Sequence, residues 1–100
     1  MKLDKSVILD ILRSHKYEIK KYYNVTILGL FGSFSKNQEH KDSDIDILYE
    51  IEKDKTMSAF KLLKLISYLE DLLGKKVDLV RDDVIKPKLK NIIHRELINV

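Results

Sequence analysis

The apolar residues of this chain change period twice before its midpoint, and the second change falls on a pair of aspartates. From Asp4 to about Tyr23, Val7, Ile8, Ile11, Leu12, Ile19 and Tyr22 recur at steps of three and four, the spacing of one face of an amphipathic helix. Asn24 is a natural stop. The run VTILGLF from Val25 to Phe31 is too short and too β-branched at its start for another helix, and reads as a buried strand. A polar stretch from Lys36 to Ser43 follows. Then DIDILYEI, Asp44 to Ile51, alternates Ile45, Ile47, Tyr49 and Ile51 with Asp44, Asp46, Leu48 and Glu50. A period of two is a strand, and it puts both aspartates on one face.

From Thr56 to Leu73 the helical period returns through Met57, Phe60, Leu63, Leu65 or Ile66, Leu69, Leu72 and Leu73, with Gly74 placed to cap the C-terminus. KVDLVR, Lys76 to Arg81, is a third short strand. A final helix is expected from Asp82 or Asp83, with Pro87 in its first turn and Leu89, Ile92, Ile93 and Leu97 as its apolar stripe. Helices alternating with three strands imply an α/β (α+β) layer, a three-stranded sheet flanked by helices. At 100 residues the chain supports one modest core, so residues 1–100 are expected to form a single domain with no room for a second, substrate-holding one.

Charge and composition narrow the field. A formal charge of +3, from 19 basic and 16 acidic side chains, is a mild bias that suits a phosphate-bearing ligand and falls short of a dedicated nucleic-acid binder. Without cysteine there are no disulfides and no thiolate–zinc sites. The opening MKLDKSVILDIL interleaves charges with apolar residues and lacks a leader's unbroken apolar region, and no run reaches the length of a membrane span, so a cytoplasmic protein is expected.

Two carboxylates at i and i+2 on one strand repel each other and resist burial unless a cation accompanies them. Taken alone, Asp44 and Asp46 are a solvated strand start, and Gly32-Ser33 is a turn. Asp78 changes the weighing: it lies between Val77 and Leu79 in the third apolar run, where a carboxylate is costly unless paired or metal-bound, the alternative being an exposed-face residue on an edge strand. Gly32 lets backbone approach a phosphate, the Ser33 hydroxyl can donate to it, and a short helix beginning near Phe34 would aim free N–H groups at the anion. A phosphate cradle beside three carboxylates able to hold two Mg²⁺ ions suits in-line attack on phosphorus, either nucleotidyl or phosphoryl transfer or metal-dependent phosphodiester hydrolysis.

Gly32-Ser33, ten intervening residues and Asp44-x-Asp46, followed later by K-V-D-L-V with Asp78, resembles the signature of the DNA polymerase β-like nucleotidyltransferase superfamily, and within it the minimal nucleotidyltransferases, or MNT-domain proteins. The final helix, with Ile93 and Glu96, is similar to that family's ending. The resemblance implies a three-stranded mixed sheet and a nucleoside triphosphate, ATP, contacted through its β and γ phosphates by Gly32 and Ser33. It also implies that Asp44 and Asp46 ligate both Mg²⁺ ions, and that Asp78 completes the site beside the acceptor hydroxyl. Where the family often carries a small residue, Arg and Gly, this chain has Ser35-Lys36-Asn37. Lys36 keeps the charge without arginine's fork, and asparagine is the residue next best to glycine at a left-handed position.

Stand-alone MNT proteins commonly act as antitoxins paired with a HEPN-family ribonuclease toxin, so the resemblance implies AMP transfer to a tyrosine of such a partner. The alternative is a binding module that neutralises the partner by occlusion with little or no catalysis. Nucleic acid is a less favoured partner: Lys86, Lys88, Lys90 and Arg95 read as the solvated side of a helix. His15, His40 and His94 have no ligand spacing and read as surface residues, and Tyr22, Tyr23, Tyr49 and Tyr68 as core or rim aromatics.

Overall fold

The computed structural model describes residues 2–100. Helix α1, Lys5–Tyr23, starts where the Asp4 carboxylate accepts the Val7 N–H at 3.0 Å and stops where Asn24 turns left-handed at φ 57°. It leads into β1, Val25–Phe31, and the chain crosses a long turn to β2, Ile45–Ile51. Helix α2, Ala59–Leu73, begins three residues later than the apolar period suggests, because Ser58 is the residue that caps it, accepting the Lys61 N–H; Gly74 ends it at φ 68°. Strand β3 is Val77–Arg81. Asp82–Val84 form only a 3₁₀ turn, and α3 runs Pro87–Glu96. The helix expected from Asp82 or Asp83 waits for Pro87 because a residue before proline is barred from helical backbone, and Lys86 is extended at ψ 143°.

The sheet has four strands rather than three. Its order is β3-β2-β1-β4, with β1 antiparallel to β2 and β2 parallel to β3. The unanticipated member, β4, is Ile98–Asn99, paired antiparallel to β1 through Gly29 and Leu30. Two residues display no period, so only the long-range pairing reveals them. Gly29 is what admits the strand: a Cβ there would run into the Ile98 carbonyl oxygen.

Strand β1 contains a bulge. Ile27 faces Tyr49 and Gly29 faces Leu48, so Leu28 is the extra residue. With Leu28 set aside the strand alternates. Val25, Ile27 and Leu30 join Ile45 and Ile47 beneath α1 and α2, packed on Ile8, Leu12, Ile19, Leu65 and Leu69. Phe31 and Leu48 lie on the opposite face with Ile93 of α3. That second face is only partly roofed, and it is where Asp46 and Asp78 fall.

Several apolar residues read as stripe positions face outward instead. Tyr22, Phe60, Leu63, Leu89 and Ile92 are exposed, whereas Tyr49 is buried and Tyr23 and Tyr68 stack their rings 5.9 Å apart. His15 is tied to the Ile11 carbonyl and His94 to Asp82. No helix among the described residues is long and apolar enough to cross a membrane.

Candidate active site

Strand register assembles the carboxylates. Ile45 N–H donates to the Lys76 carbonyl at 2.9 Å, which sets Asp46 directly beside Asp78 on the parallel neighbour β3. The start of β3 is itself held by α2, whose Glu70 carboxylate accepts the Val77 N–H at 3.0 Å. Ahead of β2, Ser43 and His40 bond reciprocally, the Ser43 N–H to the His40 carbonyl and the His40 N–H to the Ser43 hydroxyl. This buried serine closes the loop and delivers Asp44 to the start of β2. Asp44 and Asp78 are exposed and Asp46 is partly buried.

On the other side of Asp46, β1 ends with Phe31 as its cross-strand partner, and Gly32 follows at φ 78°. A Cβ on Gly32 would fall within the Asp46 carboxylate, so only glycine lets the turn lie against it. The short helix expected near Phe34 is absent. Residues 33–37 form a turn closed by Lys36 N–H to Ser33 O, Asn37 N–H to Phe34 O and Gln38 N–H to Ser33 O. Asn37 reverses the chain at φ 56°, fulfilling the left-handed role expected of it. Phe34, buried in the core, anchors the turn, and the Ser35 hydroxyl donates to the Gly32 carbonyl at 2.7 Å. Any anion bound here would meet turn backbone and side chains, not a helix dipole.

Glu96 also belongs to this place. From the last turn of α3 one of its oxygens accepts the Gly32 N–H at 3.1 Å and the other pairs with the Lys36 ammonium at 3.1 Å. A carboxylate in the last turn of a helix opposes the helix dipole and implies a partner elsewhere; that was the signal for it in the sequence. A hollow of about 340 Å³ beside Asp44 is lined by Lys41, Asp42, Ser43, Lys75 and Lys76.

The electrostatics follow. Burial pushes the Asp46 carboxyl up to about 6, reinforced by the charges of Asp78 and Asp44, a hydrogen bond with Asp78 and the charge of Glu96. Such a group is short of positive charge. As the side chains stand, no three of them among the described residues form a ready-made metal-ligand group. An all-oxygen donor set with two exposed, rotatable members nevertheless suits Mg²⁺, which is usually held by one or two carboxylates together with substrate phosphates.

Comparison with known proteins agrees with this fold. The nucleotidyltransferase domain family matches residues 12–100. A relative from Methanocaldococcus jannaschii, provisionally named a protein adenylyltransferase, is 46% identical over 95% of this chain and 96% of its own length. The protein adenylyltransferase MntA of Thermococcus cleftensis is 38% identical over 93% and 92%. Among solved structures, one of a provisionally assigned minimal nucleotidyltransferase superposes with a TM-score of 0.78 at 28% identity, covering 98% of this chain and 97% of that one. A chain of a toxin–antitoxin complex with AMP-PNP superposes with a TM-score of 0.58 at 28% identity, covering 87% and 64%. Sheet topology, the order of the motifs along the chain and kinship over nearly its whole length lead to one placement: this chain belongs to the nucleotidyltransferase domain family, as a minimal enzyme of that class.

Proposed function

We propose that this protein moves AMP from ATP onto a tyrosine hydroxyl of a HEPN-type toxin, and so serves as the antitoxin of a pair. The observation that carries the reading is the juxtaposition of Gly32, Asp46 and Asp78 across three neighbouring strands at one end of the sheet. Kinship to protein adenylyltransferases and likeness to a toxin–antitoxin complex with AMP-PNP support the transfer and the class of partner. The tyrosine and the HEPN class follow from the family resemblance.

In this reading Gly32 and Ser33 receive the β and γ phosphates with Lys36 alongside, and Asp44, Asp46 and Asp78 hold Mg²⁺. The bound metal supplies charge neutralisation for the attacking and leaving oxygens. The acceptor oxygen bonds to the α-phosphorus as the bond from that phosphorus to the bridging oxygen breaks, and pyrophosphate leaves. Asp78, exposed on the edge strand, takes the hydroxyl proton in this reading. On the same reading the partner protein brings its own hydroxyl to the open face.

The test is incubation of the purified protein with its toxin partner and each of four α-³²P-labelled nucleoside triphosphates, with Mg²⁺ or EDTA. Expected is a Mg²⁺-dependent label on the partner from ATP, absent in Asp44→Asn. A stable, neutralised complex that never acquires label would replace catalysis with occlusion.

A further inference from the structure

The side chain most closely engaged with the phosphate turn is not one of the aspartates. Glu96 reaches across 64 residues of sequence to accept the Gly32 N–H, and its second oxygen holds Lys36. It is gripped on both sides: Ile93, one turn earlier, is buried against Phe31 and Leu48, and Ile98, two residues later, pairs with Leu30 of β1. Its side chain retains only 20% of its exposure against 45% for Lys36, so the carboxylate is the fixed member of the pair and the ammonium the movable one.

A fourth carboxylate beside Asp46 and an arriving triphosphate is unfavourable unless something neutralises it. Lys36 does so. An ammonium has three donors and Glu96 occupies one, which leaves two for phosphate oxygens. The carboxylate meanwhile fixes the backbone of the residue whose left-handed conformation keeps the turn against Asp46. We propose that Glu96 is the positioning residue of the nucleotide-binding turn, setting the Gly32 backbone and aiming the Lys36 ammonium before the triphosphate arrives. The proposal rests on the transferase reading above for its kinetic consequences, and on the two contacts for its structural ones.

The experiment uses the full chain with its partner and compares wild type, Glu96→Gln, Glu96→Ala, Lys36→Ala and the double variant Lys36→Ala/Glu96→Gln. Glutamine keeps an acceptor for the Gly32 N–H and releases Lys36. The KM for ATP is expected to rise about fivefold with kcat within about twofold, the size of one charge-assisted contact made loose. Alanine loses both contacts, so kcat is expected to fall about tenfold as well, and the Gly32 amide to exchange faster with solvent. Because glutamine acts through Lys36, the double variant should match Lys36→Ala in KM, a non-additivity that a merely structural role would not produce. Additive effects of Lys36→Ala and Glu96→Gln, or a folded Glu96→Ala with wild-type KM and kcat, would overturn the proposal. If wild type itself labels no partner, the transferase reading falls separately. The Gly32 exchange then decides: unchanged protection in Glu96→Ala also removes the positioning role.

Discussion

Replacing Asp46 with asparagine should abolish transfer and, without metal, make the protein more stable. The Asp46 carboxyl is raised from 3.8 to about 6 by burial and by Asp78 and Asp44. In the unfolded chain it returns to 3.8, so between these values the folded state binds more protons than the unfolded one, and stability falls as pH rises through that window. A shift of roughly two units has a ceiling of about 3 kcal/mol at neutral pH. Because the group is only partly buried and solvent screens it, about 1 kcal/mol is the better figure. Asparagine is isosteric, carries no charge, and its amide can donate permanently to Asp78, so the variant recovers that amount. For a domain of this size the gain corresponds to about 4–8 °C in Tm. Thermal unfolding of both proteins in EDTA at pH 4, 5, 6 and 7.5 reads it directly. The two curves should lie close together at pH 4 and separate toward pH 6, with no further divergence above. An Asp46→Asn protein less stable than wild type at pH 7.5, or a gap independent of pH, would mean that the carboxylate cluster is not the uncompensated group described here.

Other expectations follow from the same geometry. Adding Mg²⁺ at pH 7.5 should raise the Tm of wild type by several times more than that of Asp46→Asn, since the metal relieves charge that the variant no longer has; equal shifts in the two would dissociate the metal from Asp46. Gly32→Ala should cost about 2 kcal/mol or more through its left-handed backbone and the collision with Asp46, and should abolish transfer even where it remains folded, as read by urea unfolding and the labelling assay. Gly29→Ala should expel β4 from the sheet at a cost of about 2–3 kcal/mol, with the Val100 amide, which donates to the Leu28 carbonyl at 3.1 Å, losing its protection from exchange. Asp78→Asn should reduce transfer by at least about a hundredfold while pull-down of the partner is unchanged, as the proposed role of the carboxylate in chemistry and not docking requires.

Much of this was legible because the site is written in the same periodicities as the fold. Alternation through Asp44–Ile51 fixed the faces of β2, and the register sets Asp78 beside Asp46, but β3 is the edge strand and Asp78 is exposed, so it is not the costly buried carboxylate that its apolar neighbours suggested. What escaped had no period to display. Strand β4 is two residues long, and the start of α3 was settled by backbone steric exclusion ahead of Pro87, which outweighed the capping preference of Asp82 and Asp83. The turn after Gly32 looked like a helix start because its composition permits one; the left-handed Asn37 turns it aside. Glu96 was singled out only as part of an ending similar to the family's, and that likeness names no partner 64 residues away.

The bulge in β1 bears on how chains of this kind tolerate changes in length. In most strands the loss of one residue inverts every side chain beyond it, exchanging core for solvent. Here Ile27 and Gly29 already oppose Tyr49 and Leu48, consecutive residues of β2, with Leu28 left over between them. A deletion at Leu28 would therefore close the ladder instead of slipping it, leaving Leu30 inside and Phe31 opposite Asp46. The same deletion in β2, which has no spare residue, would invert the strand on one side of it and break the alternation that holds Asp46 opposite the core. A one-residue shortening at position 28 should therefore preserve the aspartate pair, and one within β2 should not.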